Sequence, residues 1–477
     1  MRFIGTRRTL MSKMMTPPPV IVPVPTAFAA RWTPSFNVLQ QGRAYSTNLN
    51  FSTLIPAVTV TYYVDPIGGS DSNSGLTRSL PLLNLGTALA KSDVDQVRII
   101  NLTRDFVSQI NTASWNNRVM TRSVSVINES NIYRYISGAP VSAAALSWSV
   151  NGTYSNVYQA TRSGVNNIID CAQKTYPSYT NQSGNLVTIS NAIPAYGLGL
   201  KAKVASLAAC AAQAGSWYTD GTTIYVRPFD DRNLTQTVNN RTITYSGAQN
   251  NGRGPTANGI NCYIEGIDFV GGTTTFFCSP STATFANQMA FKNCSFQHST
   301  TGNAFAMQGK ISAYSTGCAC YYGYADGFNY HSFEQNGTNT PNQCYWLEQN
   351  SVSWNNGTTG SAGASDNAST THDYTAGIRV NNIYCNSDDR PMADTDHSMT
   401  WNLGTFVGSA INQASGGTDA NIACLVSATQ WLDGCSVSTY GSINAPYISE
   451  SAPCTIYYRN MSNVTNASGA AGTITTY

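Results

Sequence analysis

The sequence of 477 residues contains little charge and few of the common catalytic signatures. Only 10% of its residues are Asp, Glu, Lys or Arg, and the formal net charge is +2. This balance gives no reason to expect nucleic acid or an anionic membrane as the main partner. No segment approaches 18 consecutive apolar residues, so no membrane-spanning helix is expected. Gly-x-Ser-x-Gly, P-loop and His-Glu-x-x-His motifs are also missing.

Metal-binding cysteine pairs are missing as well. The 12 cysteines begin only at Cys171 and form no CxxC pair, the closest two being Cys318 and Cys320. From Cys262 onward their main separations run from the mid teens to the mid twenties, which is unlike zinc spacing. We interpret them as buried thiols at equivalent core positions of successive repeats, with disulfides as the alternative. No cofactor is expected.

The sequence is instead rich in residues that form strands and turns. Its hydrophobic content of 42% supports a large core. The polar remainder is mostly Asn, Ser, Thr and Gly, and this composition is typical of a β-protein with many turns. The length allows several ordinary domains or one elongated repeat structure.

The amino terminus is basic and then rich in proline. Residues 1–15 carry four basic residues and no acid, and five prolines follow between Pro17 and Pro25. A basic start before Ala27-Phe28-Ala29-Ala30 resembles a secretory signal, but those prolines disfavour a signal helix. We interpret residues 1–57 as an arm that attaches to a larger assembly.

The first clear elements follow this arm. Residues 58–64 predict a strand, residues 65–75 a long turn-forming loop, and residues 81–90 a short helix capped by Asn84. Residues 97–102 predict the next strand. Residues 58–149 form one segment in this interpretation.

These elements carry a resemblance to a known family. Tyr62-Tyr63-Val64, the loop Gly69–Gly75, Pro81 and Ala88-Leu89 resemble the first segment of right-handed parallel β-helix proteins of the pectate-lyase-like superfamily. Members usually have a threonine in place of Asn84 and an aromatic residue in place of Leu82. The resemblance implies that the short helix plugs the open end of the solenoid, which would otherwise expose core and strand edges.

Residues 150–240 interrupt this pattern. They contain an alanine-rich helical stretch over residues 200–212 and a hairpin over residues 215–227 with Asp220-Gly221 at its turn. This combination resembles the insert that many members of the superfamily carry between the first coils and the main helix. We predict an inserted small α+β subdomain.

The remainder, residues 241–477, predicts coil after coil. Ile264-x-Gly-Ile267-Asp-Phe269 and Phe291-x-Asn-Cys294-Ser-Phe296 have the same form and lie 27 residues apart. A period in the twenties with short strands indicates a parallel β-helix, while closely spaced hairpin turns, which a sandwich needs, are scarce. The predicted fold class is all-β, a right-handed parallel β-helix solenoid with a capping helix and an inserted subdomain.

Titratable residues concentrate between Asp326 and His397. This stretch holds nine of the chain's 24 carboxylates and three of its four histidines, but only two basic residues, Arg379 and Arg390. Successive coils stack about 4.8 Å apart. Carboxylates on adjacent coils therefore lie near the roughly 5–5.5 Å separation of retaining glycosidases, and those two coils apart reach the inverting range.

Four residues of this stretch are candidates for acid–base catalysis, namely Asp326, His372, Asp373 and Asp394. Asp326 precedes a glycine, so a turn-capping carboxylate is the alternative. His372 beside Asp373 suits proton transfer near neutral pH, provided that the segment is a loop, because neighbouring strand residues point to opposite faces.

The run from Asp388 to Asp396 contains four aspartates, but it lacks the spacing of a calcium loop. A solvated turn, sugar-contacting carboxylates and a bound cation stay open for it, and no metal ligand is assigned. Flat aromatic rings suit a pyranose face, although stacked rings inside coils are ordinary core. The residues expected to contact substrate are His331, Trp346, Trp354, Tyr374, Asp396 and Trp401.

The arm, the capped β-helix, the insert and the Asn/Ser/Thr/Gly-rich surface together resemble a bacteriophage tailspike or tail fibre. The resemblance implies an extracellular virion protein, a homotrimer attached to the phage tail by residues 1–57, that recognises bacterial surface polysaccharide. Some such proteins depolymerise the polysaccharide as glycoside hydrolases or lyases, and others only bind it. A secreted polysaccharide-degrading enzyme is the third alternative, and its mature chain would begin after Ala30.

Overall fold

The fold is known from a computed structural model. It describes residues 18–102, 106–109, 115, 117–130, 133–138, 146–165, 167–180, 185–189, 197–200, 202–236, 242–245, 250–279, 287–332, 344–357, 366–408, 421–437, 448–450, 453–461 and 472–477. Within these residues the regular secondary structure is almost entirely β-strand, and most strands belong to three long parallel sheets. The predicted parallel β-helix is confirmed.

Each full coil contributes one strand to each of the three sheets. In the described residues, sheet 1 contains 12 strands, which are Thr61–Val64, Gln96–Ile99, Val124–Asn128, Asn261–Glu265, Asn287–Lys292, Ile311–Thr316, Tyr345–Gln349, Ala376–Val380, Met399–Leu403, Thr429–Asp433, Thr455–Arg459 and Thr473–Thr476. Sheet 2 contains Phe106–Gln109, Tyr135–Gly138, Ile267–Val270, Ser295–Gln297, Ala319–Tyr321, Val352–Trp354, Ile383–Cys385, Phe406–Val407 and Ser436–Val437. Sheet 3 contains Gly252–Arg253, Phe276–Cys278, Phe305–Gln308, Phe328–His331, Ser369–Thr371, Met392–Asp394, Ile422–Cys424 and Ile448–Glu450.

The register of sheet 1 gives the coil length directly. Ile264 pairs with Phe291, which confirms the 27-residue repeat seen in the sequence. Other coils differ in length, since Gly377 pairs with Thr400, 23 residues on, while Ala313 pairs with Trp346, 33 residues on. The strands stay in register because the extra residues lie in the turns between them.

Alternation along each strand separates an interior face from an exterior face. The interior is a continuous apolar core that runs along the solenoid and includes Phe269, Phe296, Phe305 and Trp346. The 11 cysteines whose side chains the structure describes are all buried, as predicted. Cys294 and Cys318 lie at neighbouring positions of adjacent coils, since Ser295 pairs with Ala319.

The amino-terminal capping helix lies where the sequence predicts it, but Asn84 has a different role. The helix Leu85–Leu89 buries Leu85, Ala88 and Leu89 against the first coils and so covers the end of the core. Asn84 occupies the position before the helix, but its side chain forms no capping bond. It donates instead to Asp71, whose other oxygen accepts the Asn84 backbone N–H. The predicted capping role of the Asn84 side chain is therefore wrong.

The described part of the arm, residues 18–57, packs against the exterior of sheet 1. It contains the strands Val20–Ile21, Val38–Gln41 and Ala44–Thr47, the helix Thr26–Arg31 and the 3-10 helix Phe51–Leu54. Its apolar side chains, among them Phe28, cover Leu347, Ile378 and Trp401 on the outer face. These short elements bury an otherwise apolar sheet face.

The insert lies between consecutive coils. Val124–Asn128 pairs directly with Asn261–Glu265, so the residues between the solenoid strands Tyr135–Gly138 and Gly252–Arg253 leave the solenoid and return. Its strands are Ser149–Val150, Tyr158–Thr161, Asn167–Thr175, Ser178–Thr180, Leu186–Thr188, Gly197–Leu200, Ala202–Lys203, Ser216–Thr219, Thr223–Arg227 and Thr242–Tyr245, and its helix is Leu207–Ala212. The hairpin around Asp220-Gly221 is confirmed. The helix begins at Leu207, later than predicted, after the cap Ser206.

Among the described residues, no helix has the length and apolar character needed to cross a membrane.

Candidate functional site

The structure brings half of the sequence-predicted site residues together and separates the rest. Five of them meet where the chain leaves sheet 3 and turns towards sheet 1. We call this group, together with His397, the His–Asp patch, which consists of His331, His372, Asp373, Tyr374, Asp396 and His397. The remaining candidates lie inside the solenoid, at a coil corner or beneath other segments.

The two aspartates of the patch occupy equivalent positions on adjacent coils. Thr371 pairs with Asp394 in sheet 3, so Asp373 and Asp396 each lie two residues past the same register position. Both have positive φ, 59° and 60°. Asp and Asn tolerate this conformation better than most residues, and it turns the chain out of the strand. Asp373 therefore lies in a turn, as the predicted cooperation of His372 with Asp373 requires.

The acids pair with histidines of the preceding coil. Asp373 Oδ2 lies 3.6 Å from His331 Nδ1, and Asp396 Oδ2 lies 3.8 Å from His372 Nδ1. The rings of His331 and His372 stack with their centroids 4.0 Å apart and nearly parallel. The cooperating pairs therefore cross between coils, whereas the sequence suggested cooperation between the neighbours His372 and Asp373.

A second stack adjoins the first. Tyr374 stacks on His397 with centroids 4.7 Å apart. Arg31 of the arm lies over the Tyr374 ring, 5.1 Å from its centroid, and its Nη1 donates to the carbonyl oxygen of His397 at 2.8 Å. The arm therefore forms one wall of the patch. Arg31 was missed because it lies 300 or more residues from the patch in sequence.

The electrostatics of the patch favour neutral imidazole beside ionised carboxylate. Burial lowers the pKa of His331, and the neighbouring His372 ring acts in the same direction. The neighbouring His372 imidazole lowers the pKa of Asp396. Two stacked imidazoles disfavour a charge on both rings at once. The patch therefore offers a neutral imidazole at His331 and carboxylate oxygens to hydroxyl groups.

Asp394 lies inside the solenoid and does not belong to the patch. Its carboxylate is fully buried and accepts two bonds from Arg379, with Nη2 to Oδ1 at 2.9 Å and Nη1 to Oδ2 at 3.1 Å. Thr371, Thr400 and Gln430 also donate to it. The prediction that it acts on a bound polymer is wrong, because strand alternation points its side chain into the core.

Asp326 caps a coil corner. It is 3% exposed and accepts bonds from the Asn367 backbone N–H at 2.8 Å and the Asn329 side chain at 2.6 Å. The turn-capping alternative describes these contacts. The structure separates Asp326 from the His–Asp patch by the length of a strand, since it precedes the strand Phe328–His331.

The three tryptophans expected to contact sugar are fully buried, each for a different reason. Trp346 points into the core and stacks on Tyr330 at 4.3 Å. Trp354 lies on the outer face of sheet 2, where the insert residue Ile189 packs on the same cluster. Trp401 lies on the outer face of sheet 1 under Phe28 of the arm. None presents a ring face to a polysaccharide in this structure.

No metal centre is evident in the described part of the chain, where no three His, Cys, Asp or Glu side chains converge in an arrangement that would hold an ion.

Comparison with known proteins identifies the fold. No family model matches the chain, and no curated protein matches it. Among solved structures it is similar to a protein described as a glycoside hydrolase, with 10% identity over 87% of this chain and 96% of that one and a TM-score of 0.51.

Two further solved structures are more distant. A pectate lyase, Pel9A, has 13% identity over 88% of this chain and 80% of that one, with a TM-score of 0.32. The tailspike gp61 of Pseudomonas phage phi297 has 7% identity over 80% of this chain and 66% of that one, with a TM-score of 0.20. At these identities the likeness concerns the fold alone.

Proposed function

We propose that the protein recognises a bacterial surface polysaccharide through the His–Asp patch. The single observation that carries this proposal is that three successive coils and the arm bring imidazoles, carboxylates and a guanidinium to one place on the surface. Asp396 and His331 are partly exposed, with 39% and 29% of their side chains accessible. Hydrogen-bond donors and acceptors are thus both available to sugar hydroxyl groups.

Cleavage of the bound polymer at the patch is a second candidate function. The observation that favours it is the pairing of each imidazole with a carboxylate of the next coil. In this form Asp373 exchanges a proton with the reacting sugar and His372 assists, as the sequence predicts. In the alternative, which we call the adhesin form, the same groups bind the polysaccharide without cleaving it. The two forms differ in whether oligosaccharides are released.

The setting we propose is that of a phage tailspike: a homotrimeric, extracellular virion protein attached by its amino-terminal arm. The basic and proline-rich sequence of residues 1–25 supports this setting. Because residues 18–57 pack on the solenoid, the attachment to other virion proteins falls to the residues before them. Light scattering of the purified protein tests the trimer, and a monomer at micromolar concentration would contradict it.

The recognition proposal is tested with a panel of purified bacterial capsular polysaccharides and lipopolysaccharides. We expect the wild-type protein to bind at least one of them and Asp373→Asn to weaken that binding about tenfold, because each lost charged hydrogen bond contributes about 1.5–3 kcal/mol. Asp231→Asn, a half-exposed aspartate of the insert, is the matched control.

Equal binding by wild type and Asp373→Asn, or no binding to any polymer of the panel, contradicts the proposal. Release of oligosaccharides by wild type but not by Asp373→Asn supports cleavage at the patch, and binding without release at any enzyme concentration leaves the adhesin form.

A further inference from the structure

Trp32 of the arm differs from every other tryptophan of the chain in its exposure. The sequence contains eight tryptophans, and the structure describes all of them. Seven are at most 9% exposed, whereas Trp32 is partly exposed. The sequence predicted that three of the buried seven contact sugar, and it gave Trp32 no such role. A tryptophan that stacks on a bound sugar can therefore only be Trp32.

The arm presents this ring where its helix Thr26–Arg31 ends. The Trp32 backbone N–H donates to the Phe28 carbonyl oxygen at 2.9 Å, and the residue itself is extended, with φ −146° and ψ 125°. Its indole stacks on Tyr345 of sheet 1, with centroids 5.4 Å apart and 18° between the planes. Phe28 and Phe36 meet the indole at 53° and 74°, so neither of them stacks on its second face.

Arg31 joins Trp32 to the His–Asp patch. Its guanidinium lies over the Tyr374 ring, and its Nη1 donates to the carbonyl oxygen of His397 at 2.8 Å. In the part of the chain that the structure describes, the remaining N–H groups of this guanidinium donate to no protein atom, and no carboxylate pairs with it. An arginine has five N–H donors, so most of them are available to oxygen atoms of a ligand.

Tyr345 fixes how far Trp32 lies from the patch. Its hydroxyl donates to the Arg31 carbonyl oxygen at 3.3 Å, beside the indole that stacks on its ring. Tyr345 pairs with Ala376, two residues after Tyr374, so the Cα atoms of Tyr345 and Tyr374 are at most about 13 Å apart. A ring stacked on Trp32 and a sugar held by the patch can thus belong to neighbouring units of one polymer chain.

The indole and the polar groups suit different parts of a sugar. The C–H groups on one face of a pyranose ring form an apolar surface that stacks on an aromatic ring, whereas the hydroxyl groups require donors and acceptors. The apolar surface is most continuous when the hydroxyl groups are equatorial. Trp32 supplies the flat ring, Arg31 supplies donors, and the carboxylates of the patch supply acceptors.

We propose that the arm completes the polysaccharide-binding site, with Trp32 stacked on a pyranose ring whose hydroxyl groups are mostly equatorial and Arg31 donating to the oxygen atoms of the same unit. The inference rests on the proposed function, in which the His–Asp patch binds the polymer. It adds two binding residues from a segment that the fold does not need for its coils, and it gives the sugar at this position a stereochemical class.

Quenching of tryptophan fluorescence tests the contact in the full-length protein. Because the other seven tryptophans are buried, a soluble quencher such as iodide reaches chiefly Trp32. The ligand is the polymer that wild type binds from the panel of capsular polysaccharides and lipopolysaccharides. We expect this polymer to protect the accessible fluorescence from the quencher. Trp32→Phe should remove both the accessible fluorescence and its protection.

Affinities for the same polymer test both residues. We expect Trp32→Ala to weaken binding about tenfold because an apolar contact is lost, and Trp32→Tyr to recover most of the affinity because an aromatic ring remains. Arg31→Gln should weaken binding about tenfold through the loss of charged hydrogen bonds. Phe229→Ala removes a ring of the insert that is 40% exposed, and this matched control should bind as wild type does.

Wild-type affinity in Trp32→Ala, with fluorescence that the polymer does not protect, overturns the inference. If Asp373→Asn still weakens binding in that case, the recognition proposal stands. Weaker binding by Trp32→Ala without protection of the wild-type fluorescence also overturns the inference, because Trp32 then acts through the packing of the arm. Absence of binding to every polymer of the panel overturns both proposals.

Discussion

Arg379 and Asp394 form an ion pair in the interior of the solenoid, with both side chains fully buried and Nη2 of the arginine 2.9 Å from Oδ1 of the aspartate. Arg379 also lies over the Trp346 ring, 4.8 Å from its centroid, and donates through Nε to Ser369. Ser369 in turn donates to Glu348, whose pKa burial raises to about 7. Acidic residues of the stretch 326–397 thus form buried bonds in the core as well as the surface patch.

The first prediction separates these two roles. Asp394→Ala leaves the Arg379 guanidinium buried without its partner and is expected to lower the free energy of unfolding by about 3–5 kcal/mol. Asp373→Asn, at a partly exposed site whose positive φ asparagine also tolerates, is expected to cost less than about 1 kcal/mol. Denaturant unfolding measures both, and equal stability of the two variants would contradict the structural role of Asp394.

The second prediction concerns pH. His331 has a lowered pKa in the folded state, so below the ordinary value of about 6.5 the unfolded chain binds a proton that the folded chain does not. Stability should therefore fall as the pH drops from about 6.5 to the lowered pKa, and it should be fully present above 6.5. The groups that face His331 are His372, Asp373 and Asp396.

A series of melting temperatures at different pH values checks this. His331→Gln should flatten the curve over that window and leave its upper end nearly unchanged. An identical pH dependence in wild type and His331→Gln would show that burial of this imidazole does not govern acid stability.

The third prediction concerns the arm. Phe28 is fully buried and contacts the rings of Trp401 and Trp431, with centroids 6.3 and 6.1 Å away. Phe28→Ala should lower stability by about 3 kcal/mol, confined to the arm, and should expose Trp401 to a soluble fluorescence quencher. Ile21→Ala, at a position that is 61% exposed, is the matched control. Unchanged quenching and unchanged proteolysis of the arm in Phe28→Ala would contradict the packing.

The fourth prediction concerns a glycine of sheet 1. A Cβ atom on Gly377 would lie 1.9 Å from Trp346 Cε2, so the indole ring occupies the space that a side chain would need. Gly377→Ala should cost about 1–3 kcal/mol or more through overpacking. Gly152→Ala, where a Cβ meets no atom within 4 Å, should be close to neutral. The melting temperatures of the two variants test this prediction, and equal values would contradict the tight contact between Gly377 and the Trp346 ring.

The fold was largely predictable because its signals are local. The 27-residue spacing between Ile264 and Phe291 became a register pair, since a coil returns to the same sheet after one period. The Asp-Gly hairpin likewise followed from turn chemistry within a few residues. The helix of the insert was placed too early because the alanine-rich run begins in strands, Gly197–Leu200 and Ala202–Lys203, that the insert's sheets stabilise.

The candidate site was only half predictable. Its location followed from composition, but the orientation of each side chain depends on where the strand ends. Asp394 is the last residue of its strand and points inside, whereas Asp396, two residues later, lies in the turn and is partly exposed. Whether a ring on the outer face is exposed depends on segments that are distant in sequence, as the burial of Trp401 under the arm shows. Burial raises the pKa of Asp366, and the carboxylates of Asp326, Asp388 and Asp389 act in the same direction. No local pattern in the sequence indicates this shift.

The sequence alone determined the type of fold and the region where acids and imidazoles concentrate, because turn residues, strand alternation and coil period act over short distances. Only the tertiary structure decided which of these groups meet. Stacking of coils placed Asp373 beside His331, and the return of the arm placed Arg31 over Tyr374. The physical reason is that pairing, burial and the resulting pKa values arise between residues that are distant in sequence and adjacent in space.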